Sequence, residues 1–186
     1  MKGIFCLVCL LMALSGCSSE DRALSDAMKF RDKLLSVEGC AFQARITADY
    51  GDSLYTFGSS CQADSSGTVR FEITEPESLA GIAGIISEEG GTVPFEDTAL
   101  YFDLMADGQL SPVSAPWFFI RTLRSGCITS ACQEESLLHI TADDRYDENA
   151  LTLDIWLENG LVPVRADILY DGKRILALEI GSFELI

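Results

Sequence analysis

Apolar and polar positions change period several times along this chain, and each period predicts a different element. Ala27, Phe30, Leu34 and Val37 recur at three- and four-residue steps, with Leu24, Met28 and Leu35 widening the stripe. Ser19 stands as an N-cap before Glu20 and Asp21, and Gly39 supplies a stop, so a helix is expected from about Glu20 to Val37. The period then drops to two. Phe42, Ala44, Ile46 and Ala48 alternate with Gln43, Arg45, Thr47 and Asp49, and after a turn over 49–52 a second strand carries Tyr55 and Phe57. Both read as strands with one buried face.

Short strands continue. Val69, Phe71 and Ile73 alternate with polar neighbours until Glu75-Pro76 breaks the ladder. The glycines of Gly81-Ile82-Ala83-Gly84 match neither phosphate-binding pattern, and they read as small residues that let a bent strand pass beneath packed neighbours. Segments 92–95 and 99–102 add two more strands. Ser114-Ala115-Pro116 looks like a cap followed by proline in a first helical turn. Trp117, Phe118, Phe119, Ile120 and Leu123 follow, and Arg124 and Gly126 close the helix. Three adjacent aromatics cannot share one face. Either this is a core helix buried on most sides, or some of its rings face a cavity. The last fifty residues alternate as Leu151, Leu153, Ile155, Leu157 and return as Val162, Val164, Ala166, Ile168. Asn159-Gly160 and Asp171-Gly172 lie at the two reversals, where type I′ turns demand positive φ.

Ahead of the first helix, Lys2 precedes a nearly unbroken apolar run from Ile4 to Leu14. That is a signal-peptide pattern, too short for the ~20 apolar residues a membrane span needs. Leu14-Ser15-Gly16-Cys17 resembles the lipobox of bacterial lipoproteins. The resemblance implies that residues 1–16 are removed and that Cys17 is diacylated, with a further acyl chain, typically palmitate, on its new N-terminus. The expected layout is a leader over 1–16, a lipidated N-terminus and short tether over 17–22, and one domain over 23–186. The location it implies is the outer face of the cell membrane, close to the lipid surface.

Charge agrees with acyl anchoring. The chain carries 13 Lys and Arg against 29 Asp and Glu, a formal net of -16, which disfavours nucleic acid and anionic head groups as partners. Acyl chains, not a basic patch, must therefore supply membrane affinity. The acidic residues around 143–148 lack calcium-loop spacing and read as a solvated turn.

Of seven cysteines, Cys6 and Cys9 fall in the leader and Cys17 is the lipid site. Cys40, Cys61, Cys127 and Cys132 remain, and four cysteines allow three pairings. If Ala48 faces Ser53, then Ile46 faces Tyr55, Ala44 faces Phe57, and Cys40 falls opposite Cys61 on the same strand face. A Cys40–Cys61 disulfide is therefore expected, worth roughly 3 kcal/mol for a loop of about 20 residues. Cys127 and Cys132 would then staple a tight loop. The alternative is four free thiols; zinc is disfavoured without histidine company or C-x-x-C spacing.

Taken together, the lipobox, the amphipathic first helix, Phe71-Glu72-Ile73-Thr74-Glu75-Pro76, Leu79-Ala80-Gly81-Ile82, the aromatic helix and the closing run from Gly160 to Gly172 resemble the LolA-like lipoproteins of Gram-positive bacteria, including spore germination lipoproteins. The resemblance implies an α+β fold: a curved antiparallel sheet forming an unclosed half-barrel, with an N-terminal helix and a second, aromatic helix covering the concave face. It also implies an apolar hollow, which in the periplasmic carrier of that family takes the acyl chains of lipoproteins. Phe71, Ile85, Trp117 and Phe118 are the candidate lining residues. The expected ligand is an acyl chain or an apolar lipoprotein segment. The alternative is a tethered scaffold for an envelope or spore peptidoglycan enzyme. No cofactor, metal or catalysis is expected: His139 is the single histidine and reads as a strand residue, and no nucleophile elbow is present.

Overall fold

A computed structural model describes residues 17–186 apart from 52, 107, 108 and 148. The expected leader over 1–16 lies outside the described residues. The first helix, α1 (Cys17–Leu35), begins at Cys17, so Ser19 falls inside it and the short tether expected over 17–22 is helical. Its buried stripe is Ala23, Ala27, Phe30 and Leu34, while Leu24, Met28 and Leu35 remain exposed. The stripe is narrower than the sequence suggests because the helix covers only part of the sheet beneath it.

The strands that follow are β1 (Gly39–Asp49), β2 (Leu54–Asp64), β3 (Val69–Glu75), β4 (Ala83–Ser87), β5 (Gly90–Phe95) and β6 (Thr98–Phe102). A two-stranded ribbon, β7 (Met105–Ala106) with β8 (Gln109–Leu110), leads through a 3₁₀ turn at Pro112–Ser114 into α2 (Ala115–Ser125). The chain finishes with β9 (Cys127–Glu134), β10 (Leu137–Asp143), β11 (Leu151–Glu158), β12 (Val162–Tyr170) and β13 (Lys173–Leu185).

Eleven of these strands form one antiparallel sheet, in the order β6-β5-β4-β3-β2-β1-β13-β12-β11-β10-β9. The closing meander thus returns beside β1, and the two halves of the chain join along β1 and β13. β6 and β9 are the two free ends, so the sheet is not closed, and an unclosed half-barrel describes it. One face is largely apolar: Phe42, Ile46, Val69, Phe71, Ile140, Leu153, Ile155, Ile168 and Leu178 are all buried. Both helices pack there, α1 against β9 and β10, and α2 against β2, β10 and α1.

Two hairpins form as their dipeptides demand. Asn159 and Gly160 have φ of 51° and 66°, and Asp171 and Gly172 have 50° and 69°, positive at both central positions. The strand after Asn159-Gly160 carries a bulge the alternation does not reveal: Trp156 pairs with Arg165 but Leu157 pairs with Pro163. Val164 is therefore passed over, and buried Pro163 takes the inward place expected for it.

The expected disulfides are corrected. Cys40, Cys61, Cys127 and Cys132 are all free thiols. In the β1–β2 pair Cys40 stands opposite Ala63 and Cys61 opposite Phe42, each two residues from the expected partner. The two thiols share a face but are diagonal neighbours, a spacing of about 7–8 Å that exceeds usual disulfide reach. Cys127 and Cys132 lie on one extended strand rather than at the ends of a loop. Five residues of strand separate them by about 16 Å, so no bridge can form.

Candidate functional site

The candidate site is the concave, apolar face. Its central part is solid. Phe118, Phe119 and Ile120 of α2 are fully buried, and the ring of Phe119 meets that of Phe42 edge-on at 5.5 Å. The core-helix reading of α2 is therefore the right one for most of its aromatics. Trp117 lies at the rim, with the Arg121 guanidinium 5.3 Å from its ring centre.

The four expected lining residues fall into two pairs at two different places. Trp117 and Phe118 border a depression of about 310 Å³ with Leu104, Leu110, Arg121 and Asp144. Phe71 is buried in β3 and faces inward, its ring lying over Gly84. Ile85 points outward, because its neighbours Gly84 and Ile86 are the inward residues of β4. Ile85 instead lines an open groove of about 540 Å³ on the outer face, which Phe71 also borders, together with Arg70, Glu72, Thr92 and Pro94.

The concave face does have an uncovered part, built from residues the sequence reading left out. Gly91, Val93 and Phe95 of β5 pair with Phe102, Leu100 and Thr98 of β6. Ile86 pairs with Gly91, so this row continues the inward face. Phe102 lies over Gly91, where a Cβ would come within 1.9 Å of its ring. Beyond it Phe95 is 58% exposed and Leu100 59%. Among the described residues neither helix has its main packing on β5 or β6, and α2 comes to the β4–β5 turn, where Arg121 stands 3.6 Å from Glu88. The result is an apolar strip that starts in the core at Phe71 and runs into solvent at Phe95 and Leu100. The alternation Val93, Phe95 and Leu100, Phe102 was the available signal; that no helix covers it is a tertiary fact.

Around the strip the polar chemistry is structural. Tyr50 donates its hydroxyl to the Leu110 carbonyl at 3.1 Å, tying the β1–β2 turn to the ribbon, and burial pushes its phenol up. Burial likewise pushes the Cys61 thiol up to about 12 and the Cys40 thiol up to about 11. Both are poor nucleophiles there. Among the described residues, no helix is long and apolar enough to cross a membrane.

Fold and site together define an unclosed half-barrel with helices in its bend and a bare apolar strip at one end. No family model matches the chain, and no curated protein matches it. Solved structures similar to it include a putative outer membrane lipoprotein-sorting protein domain from Vibrio parahaemolyticus, at 6% identity and a TM-score of 0.48, covering 89% of this chain and 92% of that one. A LolA superfamily protein from Nitrosomonas europaea is similar at 12% identity and a TM-score of 0.46, covering 88% and 93%. The Mycobacterium tuberculosis lipoprotein LppX is similar at 14% identity and a TM-score of 0.44, covering 89% and 96%.

Proposed function

We propose that this chain is an extracytoplasmic lipoprotein, held to the outer face of the cell membrane by acyl chains on Cys17, that binds an apolar ligand on the uncovered end of its concave face. The ligand is an acyl chain or the lipidated or apolar segment of another envelope protein. The function is binding, without catalysis. The observation that carries it is the inward strip of Val93, Phe95 and Leu100, continuous with the core yet bare of either helix. Exposed apolar surface that continues a core is a site waiting for an apolar partner. The anchor rests on Leu14-Ser15-Gly16-Cys17, the run before it, and an acidic surface that gives anionic lipid nothing to hold.

Two measurements test the reading. Cells fed labelled palmitate incorporate it into the protein, and Cys17→Ser abolishes both the label and membrane fractionation. A fluorescent fatty-acid analogue binds the released Cys17→Ser protein saturably, and Leu100→Asp weakens it about tenfold, about 1.4 kcal/mol. Absence of label refutes the anchor; absence of saturable binding, or indifference to Leu100→Asp, refutes the site.

A second reading, a tethered scaffold for a peptidoglycan enzyme, draws on the free edge of β6, where an extended segment of a partner can add a strand. A stoichiometric partner that survives Leu100→Asp and is lost when proline replaces Leu100 favours it.

A further inference from the structure

The outer face of the sheet carries a row of side chains that neither the anchor nor the apolar strip uses. Cys132 of β9 stands directly opposite His139 of β10, His139 opposite Trp156 of β11, and Trp156 opposite Arg165 of β12. Cys132 is exposed, and β9 is the last strand of the sheet, so nothing in the sheet lies beyond the thiol. Its Sγ is 3.8 Å from His139 Nδ1. The other ring nitrogen, Nε2, is 3.1 Å from Asp154 Oδ1, and that same oxygen accepts the Thr141 hydroxyl at 2.7 Å.

The imidazole is held in plane as well as by its edge. It stacks on Trp156 with centroids 4.5 Å apart and an interplanar angle of 4°. The Arg165 guanidinium lies 4.4 Å from the Trp156 ring centre, and the indole Nε1–H donates to Glu134 Oε2 at 2.7 Å. A thiol, an imidazole and a carboxylate in that order, with the ring fixed by stacking, is the arrangement that activates a sulfur nucleophile.

We propose that Cys132, His139 and Asp154 form a reactive-thiol site for exchange with a small disulfide. Asp154 accepts the Nε2–H, which fixes the tautomer and leaves Nδ1 to take the Cys132 proton. The Cys132 thiolate attacks one sulfur of a disulfide R–S–S–R. The S–S bond of the reagent breaks, a Cys132–S–S–R bond forms, and R–S⁻ leaves and takes the proton held on His139. Cys132 is oxidised and the departing sulfur reduced, so the exchange balances without a further reactant. Cys127 cannot resolve the product, since it lies five residues away along the same strand. The mixed disulfide is therefore the end product.

The charges facing the thiol select the reagent. Glu134 Oε2 is 3.5 Å from His139 Nδ1 and can accept from it once the imidazole has taken the thiol proton; Asp154 lies behind the ring, Arg165 beyond the indole, and Asp167 opposite Asp154. The immediate neighbours are acidic on balance, which favours neutral or cationic disulfides over anionic ones.

The test uses the full chain and 2,2′-dithiodipyridine, a neutral disulfide, with modification followed at each cysteine by peptide mass mapping between pH 5 and 9. Cys132 is expected to react at least about tenfold faster than Cys127 at pH 6, and to lose much less than the tenfold per pH unit expected of an ordinary thiol below its pKa. His139→Gln restores the ordinary slope, and Asp154→Asn does so in part. Buried Cys61 reports folding, since it reacts only if a variant unfolds. Equal slopes for Cys132 and Cys127, or a rate indifferent to both His139→Gln and Asp154→Asn, overturn the proposal.

Discussion

Arg31 and Arg124 cap each other's helices. Arg31 of α1 donates its Nε to the Leu123 carbonyl of α2 at 2.7 Å and its Nη2 to that of Thr122 at 3.4 Å. Arg124 of α2 donates its Nη1 to the Leu34 carbonyl of α1 at 3.1 Å, and its Nη2 reaches the Ser65 carbonyl at 2.9 Å. The last carbonyls of a helix lack partners within it and carry the negative end of its dipole, so a guanidinium is the fitting cap. The exchange fastens α1 to α2 and α2 to the β2–β3 turn.

Removing Arg31 leaves the Leu123 carbonyl without its side-chain partner, and removing Arg124 does the same to that of Leu34, each at a part-buried helix end. Arg31→Ala and Arg124→Ala are each expected to cost about 1–3 kcal/mol, and the double variant less than the sum because one interface is lost twice. Urea midpoints of the three variants check this. Additive losses would mean that the two caps act independently.

The buried thiols set an alkaline limit. In the unfolded chain Cys40 and Cys61 ionise near 9.0, whereas burial raises them to about 11 and about 12. Unfolding therefore releases protons above pH 9, and stability falls as pH rises from there toward 12, by up to about 1.4 kcal/mol per pH unit for each thiol. Below pH 9 the two contribute no slope. The difference in unfolding free energy between the native chain and a Cys40→Ala, Cys61→Ala variant should be flat from pH 6 to 8.5 and should then shrink. A flat difference up to pH 11 would show that the thiols ionise in place.

Those cysteines also mark where sequence reasoning stops. Alternation fixed the faces of β1 and β2, since a slip by one residue turns every side chain over. A change of partner by two residues keeps the faces, and only the turn decides it. Here Asp49 pairs with Leu54, and the Tyr50 N–H bonds the Ser53 carbonyl across the turn. The turns at Asn159-Gly160 and Asp171-Gly172 were legible from their dipeptides; the second closes on Tyr170 and Lys173 with two residues between, but the first pairs Glu158 with Val162, one residue further on than the dipeptide implies. His139 was legible as a strand residue, but its partners come from β9 and β11, and only the pairing of three strands brings them together. Phe95 and Leu100 were legible as strand residues too. Their exposure depends on where the helices end, which alternation does not encode.

Gly84 holds the entry to the apolar strip. A Cβ there would come within 2.6 Å of the Thr92 carbonyl oxygen and 2.8 Å of the Phe71 ring. The carbonyl belongs to the β5 backbone and cannot swing aside as a side chain would. Gly84→Ala should cost about 1–3 kcal/mol by overpacking. It should also displace Phe71 and so weaken fatty-acid binding. Thermal unfolding of Gly84→Ala beside Ala83→Gly, which alters an exposed neighbour, separates the clash from a general change in strand propensity.

Asp167 and its arginines give an ordering test. Asp167 is 6% exposed, stands opposite Asp154, and is paired with Arg165 and, at 3.4 Å, with Arg174. The arginine side chains are about half exposed, 48% for Arg165 and 55% for Arg174. Loss of the carboxylate leaves two cations that water can solvate. Loss of Arg165 leaves a buried carboxylate with only the longer Arg174 contact, facing a second carboxylate, and like charges directly opposite in a sheet repel. Arg165→Ala should therefore destabilise more than Asp167→Asn, and it should also loosen the Trp156 ring that supports His139. Urea unfolding at neutral pH measures the first effect and indole fluorescence the second. If Asp167→Asn proves the costlier change, the carboxylate is holding the arginines in place rather than being held by them.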